Sequence, residues 1–140
     1  MIKNKLMYEI LDEFENAKTE NERIAILQKY DTHQFRHFLK NALDTTIEYD
    51  VEIPKYRSAP EPAGLNYTYL SMEMNKLYRF IKGHPSRPAG LTADKQKQIL
   101  VVLLESLHEK EADILVRILQ GKFKVNFLTQ KLIQKALPGM

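Results

Sequence analysis

Apolar residues recur along this chain mostly every three to four positions, and that spacing predicts helices. Leu6, Ile10, Leu11 and Phe14 keep a period near 3.6 and share one face of a first helix. "TENE" then reads as a capping box, with Thr19 at the N-cap and Glu22 three residues on. Ile24, Ile26, Leu27 and Tyr30 give this second helix its apolar side. Asp31 or Thr32 caps a third helix, with Phe35, Phe38, Leu39, Ala42 and Leu43 turned inward. A fourth is predicted from about Thr68 to Lys82, burying Leu70, Met74, Leu77, Tyr78 and Ile81, with Gly83 as its C′ residue.

Thr92 caps a fifth helix that carries "ILVVLL" and is apolar nearly all round, which predicts a central position. The sixth spans roughly Glu109 to Gln120, with Ala112, Leu115, Val116 and Leu119 on one face and Gly121 as its stop. A last short helix, about Thr129 to Leu137, buries Leu132, Ile133, Ala136 and Leu137. Between the third and fourth helices the pattern breaks. Pro54, Pro60, Pro62 and Gly64 forbid a continuous helix over 47–67. Tyr49, Val51 and Ile53 alternate with acids there, as a short extended piece would. A connection this long is often functional, and its plain reading is a crossover draped over the core. With no repeat and no convincing strand pair, the expectation is one all-α domain over 1–140, of six or seven helices with one long Pro-rich loop.

Composition narrows the class without naming a function. Cysteine is absent, which removes disulfides and thiolate metal sites and fits a reducing compartment. The longest apolar run, Ile99 to Leu104, is far below the roughly 18 residues a membrane span needs. Acids from Glu9 onward, with no long apolar stretch before them, argue against a signal peptide.

The formal net charge is only +3, but its distribution is uneven. Residues 1–22 hold six acids: Glu9, Asp12, Glu13, Glu15, Glu20 and Glu22. Lys76 to Lys97 holds six cations against Asp94 alone, and Ile114 to Met140 holds Arg117, Lys122, Lys124, Lys131 and Lys135 with no acid. Such asymmetry points to a polyanionic partner.

Candidate chemistry is sparse. His33 and His37 share a helical face but lack a third ligand at metal spacing. Glu105 and His108 form one "ExxH", where a di-iron bundle needs two and further carboxylates. "LHEKEA" reads better as a helix junction, with Glu109 and Glu111 near a new N-terminus. No Gly-x-Ser-x-Gly and no Gly-rich phosphate loop occurs, so no enzyme, metal or cofactor is expected. The basic end is the strongest signal. Lys131 and Lys135 lie i, i+4, Lys122 and Lys124 flank Phe123, and the helix start near Thr129 offers backbone N–H donors. A line of such charges suits a phosphate track. Phe123 and Phe127 are the aromatics beside it, and both are compatible with a core position, which makes single-stranded nucleic acid the lesser expectation.

"EADILVRILQGKFKVNFLTQKLIQKALPGM" resembles the close of the N-terminal DNA-binding domain of ATP-dependent DNA ligases, especially of the T-even-type phage kind. The matching parts are Leu115–Arg117, the turn Gly121–Val125, the helix Thr129–Leu137 and the Pro138–Gly139 boundary. "MYEILDEFENAKTENERIAILQKY" and the stretch Pro54–Gly64 are similar to earlier parts of that domain. "LYRFIKG", "LHEKEA" and "LTQKLIQKALPG" also resemble small uncharacterised proteins of T-even-like marine phages. A ligase needs a nucleotidyltransferase domain with Lys-x-Asp-Gly, and no Asp-Gly occurs here.

The resemblance therefore implies the fold and a non-catalytic grip on duplex DNA, nicked or intact, in the cytoplasm of an infected bacterial host. Arg117, Lys122, Lys124, Lys131 and Lys135 would meet phosphates, with Lys82, Arg87 and Lys97 as a second patch. Neutralising about four to six phosphates would give a log–log salt slope of roughly −4 to −5. The alternative is a module for a phage replication, virion or host protein. It would bind through the acidic N-terminal helices and the loop at Asp50–Tyr67, with Tyr49, Tyr56, Tyr67 and Tyr69 nearby.

Overall fold

The computed structural model describes residues 5–62 and 65–140. Its helices are α1 (Met7–Asn16), α2 (Glu20–Lys29), α3 (His33–Ala42), α4 (Leu70–Glu73), α5 (Ala93–Ser106), α6 (Glu109–Leu119) and α7 (Gln130–Ala136), with a 3-10 segment, Met74–Phe80, continuing α4. Among the described residues, extended pairing is limited to two isolated bridges, Tyr49 with Ile81 and Ala59 with His108. The fold is all-α, as the periodicity predicts. The extended piece expected at Tyr49–Ile53 shrinks to the first of these bridges, closed by N–H groups of Asp50 and Lys82 on the carbonyls of Phe80 and Glu48 at 2.9 and 2.8 Å. The break assigned to Gly64 lies outside the described residues.

Threonine starts four of these helices. The hydroxyls of Thr19, Thr32, Thr92 and Thr129 accept from the N–H groups of Glu22, Phe35, Lys95 and Leu132 at 3.1, 3.1, 3.2 and 3.1 Å. Each bond satisfies an orphan donor of a first turn and contributes about 1 kcal/mol. Glu22 completes its box one residue early, accepting from Lys18 N–H at 2.9 Å. Of the two candidate caps of α3, Thr32 is the one used. Asp31 instead takes the Arg36 guanidinium at 2.6 and 2.9 Å.

The fourth helix departs from its predicted form. One α turn gives way to a 3-10 segment, whose period of three stacks residues i and i+3. The buried row is therefore Leu70, Met74, Leu77 and Phe80, while Tyr78 and Ile81 are only half-buried. The fifth helix departs too. Its apolar run is one-sided: Leu100, Leu103 and Leu104 are buried, whereas Val102 is 68% exposed. Among the described residues no layer covers Val102, and single exposed apolar residues are tolerated. The central helix is α6, which packs against α1, α4 and α5. It buries Ala112, Ile114, Leu115, Ile118 and Leu119. The long loop crosses this core, with Tyr49, Val51, Ile53 and Tyr56 partly buried against it.

Candidate nucleic-acid interface

The basic end is built on a tight helix stop. After Leu119 the N–H of Gly121 donates to Ile118 O at 3.0 Å and that of Lys122 to Arg117 O at 2.8 Å. This is a Schellman motif, and it places its C′ residue in the left-handed region, φ +70° at Gly121. Lys122 leaves the motif exposed. Phe123 turns back, half-buried and edge-on to Phe38 at 6.2 Å. Val125 is buried, and Asn126 N–H donates to the Glu15 carboxylate of α1 at 2.9 Å. Helix α7 then packs on α2, burying Leu132, Ile133 and Ala136 and leaving Lys131 and Lys135 outside.

The eight predicted cations separate into two groups. Lys82, Arg87 and Lys97 do not form an open patch, because the crossover loop brings an acid to each. Lys82 pairs with Glu48 at 3.8 Å, Arg87 with Asp50, and Lys97 with Glu52 at 3.6 Å. Lys135 pairs with Glu20 of α2 at 3.4 Å. Arg117, Lys122, Lys124 and Lys131 are exposed, and among the described residues none has a carboxylate at ion-pair distance. Arg117 and Lys124 line one hollow of about 280 Å³ together with Lys110. Asp12, Glu15 and Asp113 line it as well, so this hollow is charge-balanced rather than basic.

The remaining candidates have local roles. His33 and His37 lie ring to ring at 6.4 Å. Among the described residues no three His, Asp or Glu side chains gather as a metal site would require. His108 Nδ1 caps α6, accepting from Lys110 N–H at 3.1 Å, while its ring stacks on Tyr8 at 4.6 Å. Glu105 holds the crossover by accepting from Arg57 N–H at 2.9 Å. Of the loop tyrosines, Tyr49 and Tyr56 pack on the core and Tyr67 is 85% exposed.

Two features escape the sequence pattern. Glu111 does stand in the first turn of α6, as the sequence predicts, but it is only 1% exposed. Its carboxylate accepts from Met7 N–H at 3.4 Å and Leu70 N–H at 3.2 Å, so it caps α1 and α4 at once. Burial pushes its pKa up to about 6, against the pull of those two backbone donors. It lies at the wall of a cavity of about 460 Å³ lined by Leu6, Ile10, Tyr30, Phe35 and Met72. The second feature is Phe127, which is not in the core but 56% exposed, with the Arg23 guanidinium 3.7 Å from its ring centre. An Asn before an aromatic, three residues short of the Thr129 start, marks a turn, yet nothing local says which way the ring faces.

A family model described as a family of unknown function (DUF6433) matches residues 10–125. The chain belongs to this family. Neither the curated proteins nor the solved structures hold a match to it. The DUF6433 match takes in α2 to α6 complete and the Schellman turn, and stops short of α7. The likeness to ligase DNA-binding domains rests on its residue motifs alone. Among the described residues, no helix of this DUF6433 member is long and apolar enough to cross a membrane.

Proposed function

We propose that this chain is a non-catalytic DNA-binding protein that grips the phosphate backbone of duplex DNA, in the infected-host setting the phage resemblance implies. The observation that supports it is the group Arg117, Lys122, Lys124 and Lys131, exposed and without a pairing carboxylate among the described residues. The backbone carrying them is fixed at both ends, by the Schellman bonds at Gly121 and by the Thr129 cap of α7. These bonds anchor the backbone from which the four side chains project, and contacts to phosphate carry no base information.

Four cations also revise the expected salt dependence. At about −0.9 per neutralised phosphate, four contacts give a log–log slope of about −3.6 on duplex DNA. Anisotropy titration of a labelled duplex at rising salt tests this. The double reversal Lys124→Glu, Lys131→Glu should weaken binding and bring the slope to about −1.8 or flatter. Affinity that ignores both salt and the reversal refutes the proposal.

A second reading, a module for a phage or host protein, draws support from a groove of about 510 Å³ between Tyr67 and Val102. Ile99 and Leu103 lie along it, with Lys76 and Arg79 beside them. Lys76 is paired with Glu73 in the same lining at 3.7 Å, which leaves Arg79 as the cation beside an apolar anchor site. A partner retained stoichiometrically at high salt, and released by Val102→Asp, would favour it.

A further inference from the structure

The turn that joins the Schellman motif to α7 holds an aromatic residue where chemistry disfavours one. Leu128 N–H donates to Val125 O at 3.3 Å, closing a four-residue turn whose third position is Phe127. Its φ of +70° lies in the left-handed region, and it is the one non-glycine residue with positive φ among those described. That turn position normally takes Gly or Asn. Asn126 stands one place too early to fill it. A bulky side chain there is an outlier that the surrounding structure must hold in place.

Burial does not account for it, since the ring is 56% exposed while neighbouring Phe123 and Leu128 pack inward. The ring is nonetheless held. Arg23 lies over it at 3.7 Å, and Arg23 Nη2 donates to Ala17 O at 2.7 Å, which fixes the guanidinium. Arg23 Nε is buried without a hydrogen-bond partner, as expected of a guanidinium laid flat on a π face instead of aimed at an acceptor. Arg23 covers one face of the ring, and the residue still keeps 56% of its surface open. Lys124 precedes Phe127 by three residues and Lys131 follows by four, both exposed and without a pairing carboxylate among the described residues.

An exposed aromatic ring held by its turn, with exposed cations three residues before it and four after, suits a base stacked beside its own phosphates. We propose that the Phe127 ring, backed by Arg23, is a stacking platform for an unpaired nucleobase. The preferred ligand is then DNA that presents such a base, as a gapped duplex or a single strand does, over uninterrupted duplex. This rests on the backbone-binding reading above and names the DNA structure it selects.

The probe is a duplex with a short gap carrying 2-aminopurine, compared with the same duplex fully paired. The wild type should bind the gapped form more tightly and quench the 2-aminopurine. Phe127→Ala should lose about 5- to 150-fold on gapped DNA, the range of one base–aromatic stack, with affinity for intact duplex and the thermal melting curve held. Phe127→Tyr, which keeps the ring, should restore binding and quenching. Equal affinity of wild type and Phe127→Ala for the gapped probe, with the Lys124, Lys131 reversal still weakening it, overturns the platform and leaves the backbone reading standing. Binding that ignores salt and the reversal on both probes removes the two together.

Discussion

Replacing Glu111 with Gln tests the buried carboxylate that ties three helices together. In the folded chain this group holds its proton more tightly than in the unfolded one, since burial raises its pKa from the ordinary 4.5 to about 6. The folded state therefore binds more protons between those values, and stability falls as pH rises through that window. At roughly 1.4 kcal/mol per pH unit the full cost is about 2 kcal/mol, present above the window and absent below it. The amide of the Glu111→Gln variant would keep one acceptor oxygen but aim its NH2 at the other backbone donor, Met7 or Leu70. That loss is independent of pH.

The stability of the wild type minus that of Glu111→Gln should therefore fall by about 2 kcal/mol between pH 4 and pH 7.5. Urea unfolding followed by far-UV circular dichroism across that range measures it. Glu13, Asp31 and Asp44 have pKa values held down, chiefly by hydrogen bonds from Tyr30, Arg36 and Thr46 respectively. They tilt the curve the other way, with stability lost as pH falls through their depressed values, but they are common to both proteins and cancel in the difference. A difference that stays flat, or that grows with pH, refutes the assignment of Glu111 as a costly buried charge.

Two further substitutions probe the backbone. Gly121→Ala should cost about 1–2 kcal/mol from the left-handed φ alone, since a Cβ there meets nothing within 4 Å. Gly90→Ala, equally open and without that φ, should be neutral or slightly stabilising in the same denaturant series. Phe80→Ala should lose about 3–5 kcal/mol while Tyr78→Ala loses clearly less. Equal losses in chemical denaturation would restore a continuous α register through that segment.

Most helices are legible in the sequence because their signals are local. The threonine caps and the apolar rows of α1, α3 and α7 involve residues within four positions of each other. What escapes the pattern depends on distant partners. No periodicity reveals that Met7 and Leu70 both aim an N–H at Glu111, nor that Glu48, Asp50 and Glu52 in the crossover neutralise Lys82, Arg87 and Lys97. The 3-10 segment fits an i, i+3 row of Met74, Leu77 and Phe80 as well as an α pattern fits its neighbours, so spacing alone could not decide between them. For the candidate interface, composition located the cations but not their partners, and the side of the turn on which Phe127 emerges is a tertiary fact.

The pairing of α1 with α6 and of α2 with α7 bears on how the chain reaches this state. Glu20 meets Lys135, and Arg36 donates to the carbonyl of Pro138 at 2.9 Å, so the two flanks of the sequence are sewn to one another. During synthesis, α2 can pack on α1 at once, but its other partner, α7, emerges about a hundred residues later. The α1–α2 pair therefore waits for α6 and α7 to complete its packing, and loop closure across most of the chain makes maturation slower than in a bundle whose neighbours pack in order.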